Sequence, residues 1–339
     1  LASRGLGDVY KRQTKESGMA RTLMKGNEAL AEAAIRSGCT HFFGYPITPQ
    51  NEIPEYLARE LPKHGGVYLQ AESEVASIHM VYGAAASGGR VMTSSSSPGI
   101  ALMQEGLSLV AAAELPCVIV NVQRAGPGIG GIQPGQADYF QMTRGGGNGG
   151  YRIPSLAPAT IQESVEMMRE AFDMAEKYRS PVYIVSDGML GQMMEPVEFT
   201  RRKKPAPPVK KWAAVGTGGK RKPLVIKTMS LVPEILEENN RKLHQKYMAI
   251  EAAECRYEDY RLEGAELVFV AYGSTSRIVK DSIQILATSG IKTGLIRPKT
   301  LWPFPAQPFE NLGSACTNIV CVEMNLGQMV EDVRMAVKD

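Results

Sequence analysis

The sequence predicts an α/β protein: a doubly wound parallel sheet followed by a smaller α/β unit. Three observations carry this. From Met19 to about Glu198, strand-like apolar runs alternate with segments of helical period, and such alternation implies parallel strands joined by crossovers. The run CVIVNVQR (117–124) is almost continuously apolar, as befits a strand covered on both faces. The alternation is lost over 199–224 and returns from Ala265.

Each element follows from its residues. GNEALAEAAIRSG (26–38) repeats apolar residues at helical spacing and stops at Gly38; the short strand HFFGYP (41–46) follows. VYLQAE (67–72) reads as a second strand. SEVASIHMVYGAAASG (73–88) reads as a helix with small residues on several faces, fit to pack closely on a sheet or a partner. RVMTSS (90–95) is a strand. ALMQEGLSLVAAAE (101–114) is a helix, with Ser97 its expected N-cap and Pro98 in the first position. IQESVEMMREAFDMAEKYR (161–179) is amphipathic, and PVYIVSDG (181–188) closes the first unit, which spans 19–198.

Pro, Gly, Lys and Arg crowd 199–224. Such a basic stretch can meet nucleic acid or an acidic partner, but a solvated linker is the simpler reading. Residues 231–262 read as one long charged helix that bridges units or lies on a partner, so linker and helix fill 199–264. ELVFVAYGS, TSRIVKDSIQILATSG, TGLIRPKT, NIVCVEMN and GQMVEDVRMAV then form the smaller unit, 265–339.

Composition narrows the function. The 339 residues are 44% hydrophobic and 22% charged, a globular balance, and a net charge of +3 gives no field for nucleic acid or a membrane surface. No apolar run of about 18 residues is present to span a bilayer. Five cysteines, at 39, 117, 255, 316 and 321, form no C-x-x-C pair. A disulfide framework, a zinc knuckle and a ferredoxin-type cluster are therefore not expected in this chain, and a reducing, cytoplasmic setting is. LASRGLGDVYKRQ at the start has neither an apolar core nor helical period; residues 1–18 are expected to be a cloning or assembly artefact or a disordered arm. The smaller unit stops just after a helix, so the chain is expected to continue past Asp339.

Four features stand at expected strand ends, where open α/β sheets bind ligands. Gly44-Tyr45-Pro46-Ile47-Thr48-Pro49 is stiffened by two prolines that would fix the Thr48 hydroxyl, although a plain rigid loop has the same look. Glu72-Ser73-Glu74 heads a helix. A carboxylate there either favours the helix dipole or is buried against a proton-bearing nitrogen of a ligand. TSSSSPG (93–99) offers hydroxyls and free N–H groups at a helix N-terminus, suited to a polar or anionic ligand, while an N-cap accounts for one serine of the four. Gln123-Arg124 precedes Gly126-Pro127-Gly128-Ile129-Gly130-Gly131, a match to G-x-G-x-x-G. The dinucleotide reading fails on context: Pro127 and Pro134 allow no helix after the glycines, and no acidic residue ends a strand about 20 residues on. Arg124 is the sharper feature, a fixed cation whose fork fits a carboxylate. The histidines at 41, 64, 79 and 244 are scattered, and no nucleophile elbow, H-E-x-x-H helix or P-loop is present.

Taken in order, GYPITP, ESEVASIHMVYGAAASG, TSSSSPG and VNVQRAGPGIGG resemble the pyrimidine-binding domain of the 2-oxoacid:ferredoxin oxidoreductases. GLIRPKTLWPFP and VEMNLGQMVEDVR resemble that family's transketolase-C-terminal-like domain, so the resemblance covers 19–339. FFGYPITPQNEIPEY, TSSSSPG and IQPGQADYFQMTRGGGNGGYR are most similar to the alpha (VorB-type) subunits of its 2-oxoisovalerate branch. The resemblance implies thiamine diphosphate (TPP) shared between two subunits. It makes Glu74 the catalytic glutamate facing the aminopyrimidine, puts Thr48 and Arg124 on the substrate, and puts Tyr45, Pro46, Thr48 and Glu74 on the cofactor. Ser186-Asp187-Gly188 departs from the family's G-D-G…N pattern for Mg²⁺, so Mg²⁺ is expected in a TPP-diphosphate-binding beta subunit. The [4Fe–4S] clusters are expected in a ferredoxin-like Fe–S subunit, beside a gamma subunit. The implied reaction is oxidative decarboxylation of a branched-chain 2-oxoacid to acyl-CoA, with coenzyme A as acceptor and electrons passed to ferredoxin. The alternatives are 2-oxoglutarate as substrate, a non-redox TPP enzyme of decarboxylase or transketolase type, and a binding subunit without chemistry of its own.

Overall fold

The computed structural model describes residues 21–199 and 210–337, and three sheets organise them. The expected artefact at 1–18 and the linker stretch 200–209 lie outside the described residues. In chain order the larger unit holds β1 (Thr22–Lys25), α1 (Gly26–Arg36), β2 (His41–Gly44), α2 (Glu52–Glu60), β3 (Val67–Gln70), α3 (Glu74–Ala86), β4 (Val91–Ser95), α4 (Ser97–Ala112), β5 (Cys117–Gln123), α5 (Tyr139–Arg144), β6 (Ser155–Leu156), α6 (Ile161–Tyr178), β7 (Pro181–Asp187), α7 (Gly188–Gln192) and β8 (Met194–Val197). After α8 (Pro233–Glu254) come β9 (Tyr257–Tyr260), β10 (Leu267–Val270), α9 (Gly273–Thr288), β11 (Thr293–Pro298), β12 (Thr300–Trp302), α10 (Gln307–Glu310), β13 (Asn318–Cys321) and α11 (Met329–Val337).

The largest sheet has the order β12-β6-β7-β5-β4-β2-β3, parallel throughout except at its β12 edge. Strand β5 is buried at all seven positions. Val118, Val120 and Val122 join the core under α1 and α6, while Ile119 joins the core under α3 and α4. Burial on both faces is why this strand reads as a continuous apolar run. The smaller sheet is β13-β10-β11-β9, with β9 antiparallel, and β1 pairs with β8 as a separate ribbon. β3 lies on one side of β2 and β4 on the other. The strand order therefore reverses at β2, and a crevice opens outside the carboxyl ends of β2 and β4. No helix among the described residues is long and apolar enough to cross a membrane.

Three local expectations are corrected. The long helix stops at Glu254, and Tyr257–Tyr260 becomes a strand against β11, because the tyrosines suit a pleated surface and Glu258 meets the buried Arg297. The N-cap of α4 is Ser96 rather than Ser97, whose hydroxyl is engaged elsewhere. Thr300–Trp302, expected within the smaller unit, edges the larger sheet against β6. The segment after GYPITP, for which the sequence carried no expectation, forms α2, its Pro54 tolerated in the first turn, where no helical N–H partner is lost.

The two units are pinned by ions. Arg297 of β11 is 1% exposed. It donates bidentately to Glu163 of α6 (Nη1–Oε2 2.9 Å, Nη2–Oε1 2.6 Å) and from Nε to Glu258 of β9 at 2.7 Å. Burial alone would raise the Glu163 and Glu258 carboxyls, but hydrogen bonds and charges outweigh it, from Arg297 and Lys299 on Glu163 and from Lys280 and Arg297 on Glu258, and hold both below the ordinary glutamate value. A carboxyl lowered by folding stabilises fully above its unfolded value, about pH 4.3, and loses that contribution as pH falls through the lowered folded value. Arg297→Ala removes the buried cation and leaves Glu163 to Lys299 and Glu258 to Lys280, so it is expected to cost about 3 kcal/mol at neutral pH, the low end for a broken buried pair. The difference in Tm between wild type and variant should shrink below about pH 4. A difference independent of pH between 3 and 7 would contradict this role.

Candidate active site

The loop leaving β2 is held from below. Gln50 is fully buried; its Nε2 donates to Tyr45 O at 3.2 Å, and its Oε1 accepts from Ser94 Oγ at 2.6 Å. Pro49 O accepts from Asn27 Nδ2 at 2.8 Å and Gln192 Nε2 at 3.1 Å, and both amides also donate to Glu52. With its backbone fixed this way, the loop leaves Tyr45, Pro46 and Thr48 exposed at the mouth of the crevice.

At the end of β3, Ser73 caps α3 by accepting from Ala76 N at 3.2 Å. Glu74 is the first helical residue and only 5% exposed, while Glu72 faces solvent. Among the described residues its one hydrogen bond is from Ser95 Oγ, long at 3.4 Å. Gly99, in the first turn of α4, makes room for this carboxylate: a Cβ there would overlap both Ser95 Oγ and Glu74 Oε1. The four serines thus divide their tasks. Ser94 holds Gln50 and Ser95 meets Glu74. Ser97 Oγ accepts from Arg124 N at 3.0 Å and donates to Asp138 Oδ2 at 2.5 Å. Ser96 Oγ is buried with no partner among the described residues.

Arg124 ends β5 and is 8% exposed. Its Nη1 donates to Thr48 O at 3.0 Å and its Nη2 to Ile129 O at 2.9 Å, while Nε has no partner among the described residues. The structure therefore does bring Thr48 and Arg124 together, through the threonine's main-chain oxygen rather than its hydroxyl. Two of the five guanidinium donors are spent on carbonyls, which leaves others for a ligand. The loop beyond doubles back on itself and depends on Gly130, at φ +58°, where any Cβ would collide with Ala125 O. Asp138 closes this region, accepting from Asn121 Nδ2 at 2.9 Å and from Ser97; burial pushes its carboxyl up, and these two hydrogen bonds oppose the rise.

Asp187 of the Ser186-Asp187-Gly188 turn is committed to structure. It caps α7 through Met189 N at 2.8 Å and Leu190 N at 3.1 Å and accepts from Ser274 Oγ at 2.5 Å. Among the described residues no group of three or more His, Cys, Asp or Glu is arranged to hold a metal ion. Sequence reasoning placed Thr48, Glu74 and Arg124 at strand ends but missed Gln50, Gly99, Gln136 and Asp138. The Q-A-D run at 136–138 carries no signal of its own inside the longer motif that contains it.

A cavity of about 430 Å³ lies between Thr48, Pro49, Glu52, Ile132, Pro134 and Gln192, beside the Arg124 loop. Ile129 and Ile132 on that loop are 80% and 62% exposed, an apolar rim next to a cation.

Comparison with known proteins agrees in both units. Residues 32–259 match the family model for pyruvate flavodoxin/ferredoxin oxidoreductase, thiamine diphosphate-binding, and residues 265–339 match pyruvate:ferredoxin oxidoreductase core domain II. The chain is 49% identical over 318 residues to the ketoisovalerate oxidoreductase subunit VorB of Methanothermobacter marburgensis, covering 94% of this chain and 90% of that protein. It is 38% identical to the 2-oxoglutarate synthase subunit KorA of Methanocaldococcus jannaschii, with 93% and 91% covered. The solved 2-oxoglutarate:ferredoxin oxidoreductase from Magnetococcus marinus superposes with a TM-score of 0.82 at 30% identity, over 94% of this chain and 61% of that one.

The close approach at Gly99 is directly testable. Gly99→Ala should lower stability by about 1–3 kcal/mol through overpacking against Glu74 and Ser95. A wild-type melting temperature in that variant would show that the two helices have slack the structure does not contain.

Proposed function

The chain belongs to the pyruvate flavodoxin/ferredoxin oxidoreductase family, as an alpha-type subunit carrying its thiamine-diphosphate-binding domain and core domain II in order, and from that premise we propose its reaction. In this reading it works with partner subunits to convert a branched-chain 2-oxoacid and coenzyme A into acyl-CoA and CO₂. Two electrons leave one at a time to ferredoxin, and one proton is released. The observation that carries the reading is the 49% identity to a ketoisovalerate oxidoreductase subunit across nearly the whole chain. The apolar rim of Ile129 and Ile132 beside Arg124 favours a hydrocarbon side chain over the second carboxylate of 2-oxoglutarate.

The residues present fit TPP. Among the described residues, Glu74 is a buried carboxylate with one long hydrogen bond, and Ser96 Oγ, without a partner there, lies at the same strand end. TPP, when bound, supplies the electron sink for decarboxylation. Glu74 would accept from the cofactor's pyrimidine nitrogen, with Tyr45, Pro46 and Thr48 along the same mouth. Arg124 would hold the substrate carboxylate through the donors not spent on Thr48 O and Ile129 O, and the exposed Thr48 hydroxyl would add a donor. The pinned loop keeps these groups oriented before substrate arrives, so little order remains to be imposed on binding. With Asp187 committed to a helix cap, Mg²⁺ belongs in this reading to a partner subunit that binds the diphosphate, and the [4Fe–4S] clusters to a further partner.

Kinetics on the assembled complex test this. Glu74→Gln should fold normally and lose about 10²–10⁴-fold in turnover, the usual worth of acid–base participation; near-wild-type turnover would refute its role. Arg124→Lys keeps the charge and loses the fork, so kcat/KM should fall for every 2-oxoacid while TPP affinity holds. In a panel of 2-oxoacids with ferredoxin as acceptor, 3-methyl-2-oxobutanoate should exceed 2-oxoglutarate by about tenfold or more in kcat/KM. The reverse order would assign the chain to the 2-oxoglutarate branch.

A further inference from the structure

Gln136 stands where the glycine-rich loop after Arg124 runs into α5, and it is fully buried. Each of its polar groups is partnered, and every partner lies in the smaller unit. Its N–H donates to Met324 O at 3.1 Å. Its main-chain oxygen accepts from Asn325 Nδ2 at 2.8 Å and Tyr272 Oη at 3.3 Å. The side-chain oxygen accepts from Thr275 Oγ1 at 2.8 Å and Met324 N at 3.1 Å, and Nε2 donates to Tyr272 O at 3.0 Å.

Two residues on, Asp138 faces the opposite way. Its carboxylate takes Ser97 Oγ and Asn121 Nδ2, and its N–H donates to Gln123 Oε1 at 3.3 Å. Ser97 Oγ in turn accepts from the main chain of Arg124 at 3.0 Å. The loop between is a closed ring: Arg124 bridges Pro134, Ala125 N donates to Gln133 O at 2.8 Å, and Gly131 N donates to Ala125 O at 2.9 Å. Four glycines in 126–131 give that ring few side chains to anchor it, so its order depends on its ends.

We propose that Gln136 is a positioning residue. It ties the Arg124 loop to the smaller unit, so that the unit at 265–337 sets the guanidinium geometry met by the substrate carboxylate. The proposal rests on the reading of Arg124 as the carboxylate clamp, and its test separates the two. The assembled complex is made with Gln136→Ala, Thr275→Val, Thr275→Ser and Arg124→Ala. Amide hydrogen exchange is followed at Ala125 and Gly131, beside KM and kcat for 3-methyl-2-oxobutanoate, TPP affinity and Tm.

Exchange at Ala125 and Gly131 should quicken in Gln136→Ala and Thr275→Val while β5 stays protected. KM should rise roughly 3–30-fold, the span of single-residue coupling effects. TPP affinity should hold, and Thr275→Ser, which keeps the hydroxyl, should restore both readouts. Loop exchange unchanged while Tm falls would reduce Gln136 to interface glue and overturn the proposal. So would quickened exchange with KM unmoved, provided Arg124→Ala raises KM. Should Arg124→Ala leave KM unmoved as well, the clamp reading fails, and loop exchange alone decides whether Gln136 couples the units.

Discussion

A buried carboxylate costs free energy unless something donates to it, and the crevice is organised around one that the described residues scarcely satisfy. Glu74 is 5% exposed and, among the described residues, receives a single hydroxyl at 3.4 Å. The sheet order puts it there: β3 and β4 lie on opposite sides of β2, so the chain leaving β3 starts its helix beside the end of β4. The space comes from Gly99, which lets the first turn of α4 approach the carboxylate. A helix N-terminus softens the cost by its dipole. In the proposed reading, a donor from outside the chain meets the rest of that cost.

Around that demand the two units divide the work. The larger one supplies strand ends and thus the positions of Thr48, Glu74 and Arg124. The smaller one supplies bracing. Arg297 locks α6 and β9 to β11, and Tyr139 Oη and Arg144 of α5 both reach Asp332 of α11. The Arg124 loop lies between these fixed bodies. Two of the five guanidinium donors are already engaged with carbonyls, so in the proposed reading a bound carboxylate would complete an existing arrangement and would not have to create one.

Most of the architecture was legible in the sequence because it leaves periodic traces. A continuous apolar run marked β5, and helical spacing marked α1 and α6. The strand-end residues Thr48, Glu74 and Arg124 were legible because a proline-stiffened turn, a paired acid and a lone cation before glycines each break the local pattern. Contacts between residues far apart in the chain left no such trace. Gln136 meets residues 136 to 189 positions away, and nothing in Q-A-D announces it. The boundary of α8 was missed because Arg256 and Glu258 look like helix surface until Glu258 is seen against buried Arg297. Ser97 resembled a cap by type and position, yet its hydroxyl is claimed by Asp138, and the cap moved back one residue.

The most direct test of this account is the structure of the assembled complex with TPP bound, solved well enough to place the Glu74 carboxylate against the cofactor's aminopyrimidine. The account predicts a Glu74 oxygen about 2.6–3.2 Å from a pyrimidine ring nitrogen, hydrogen-bond reach for a group that exchanges a proton. A cofactor whose pyrimidine is held by other residues, with Glu74 still turned only to Ser95, would contradict it.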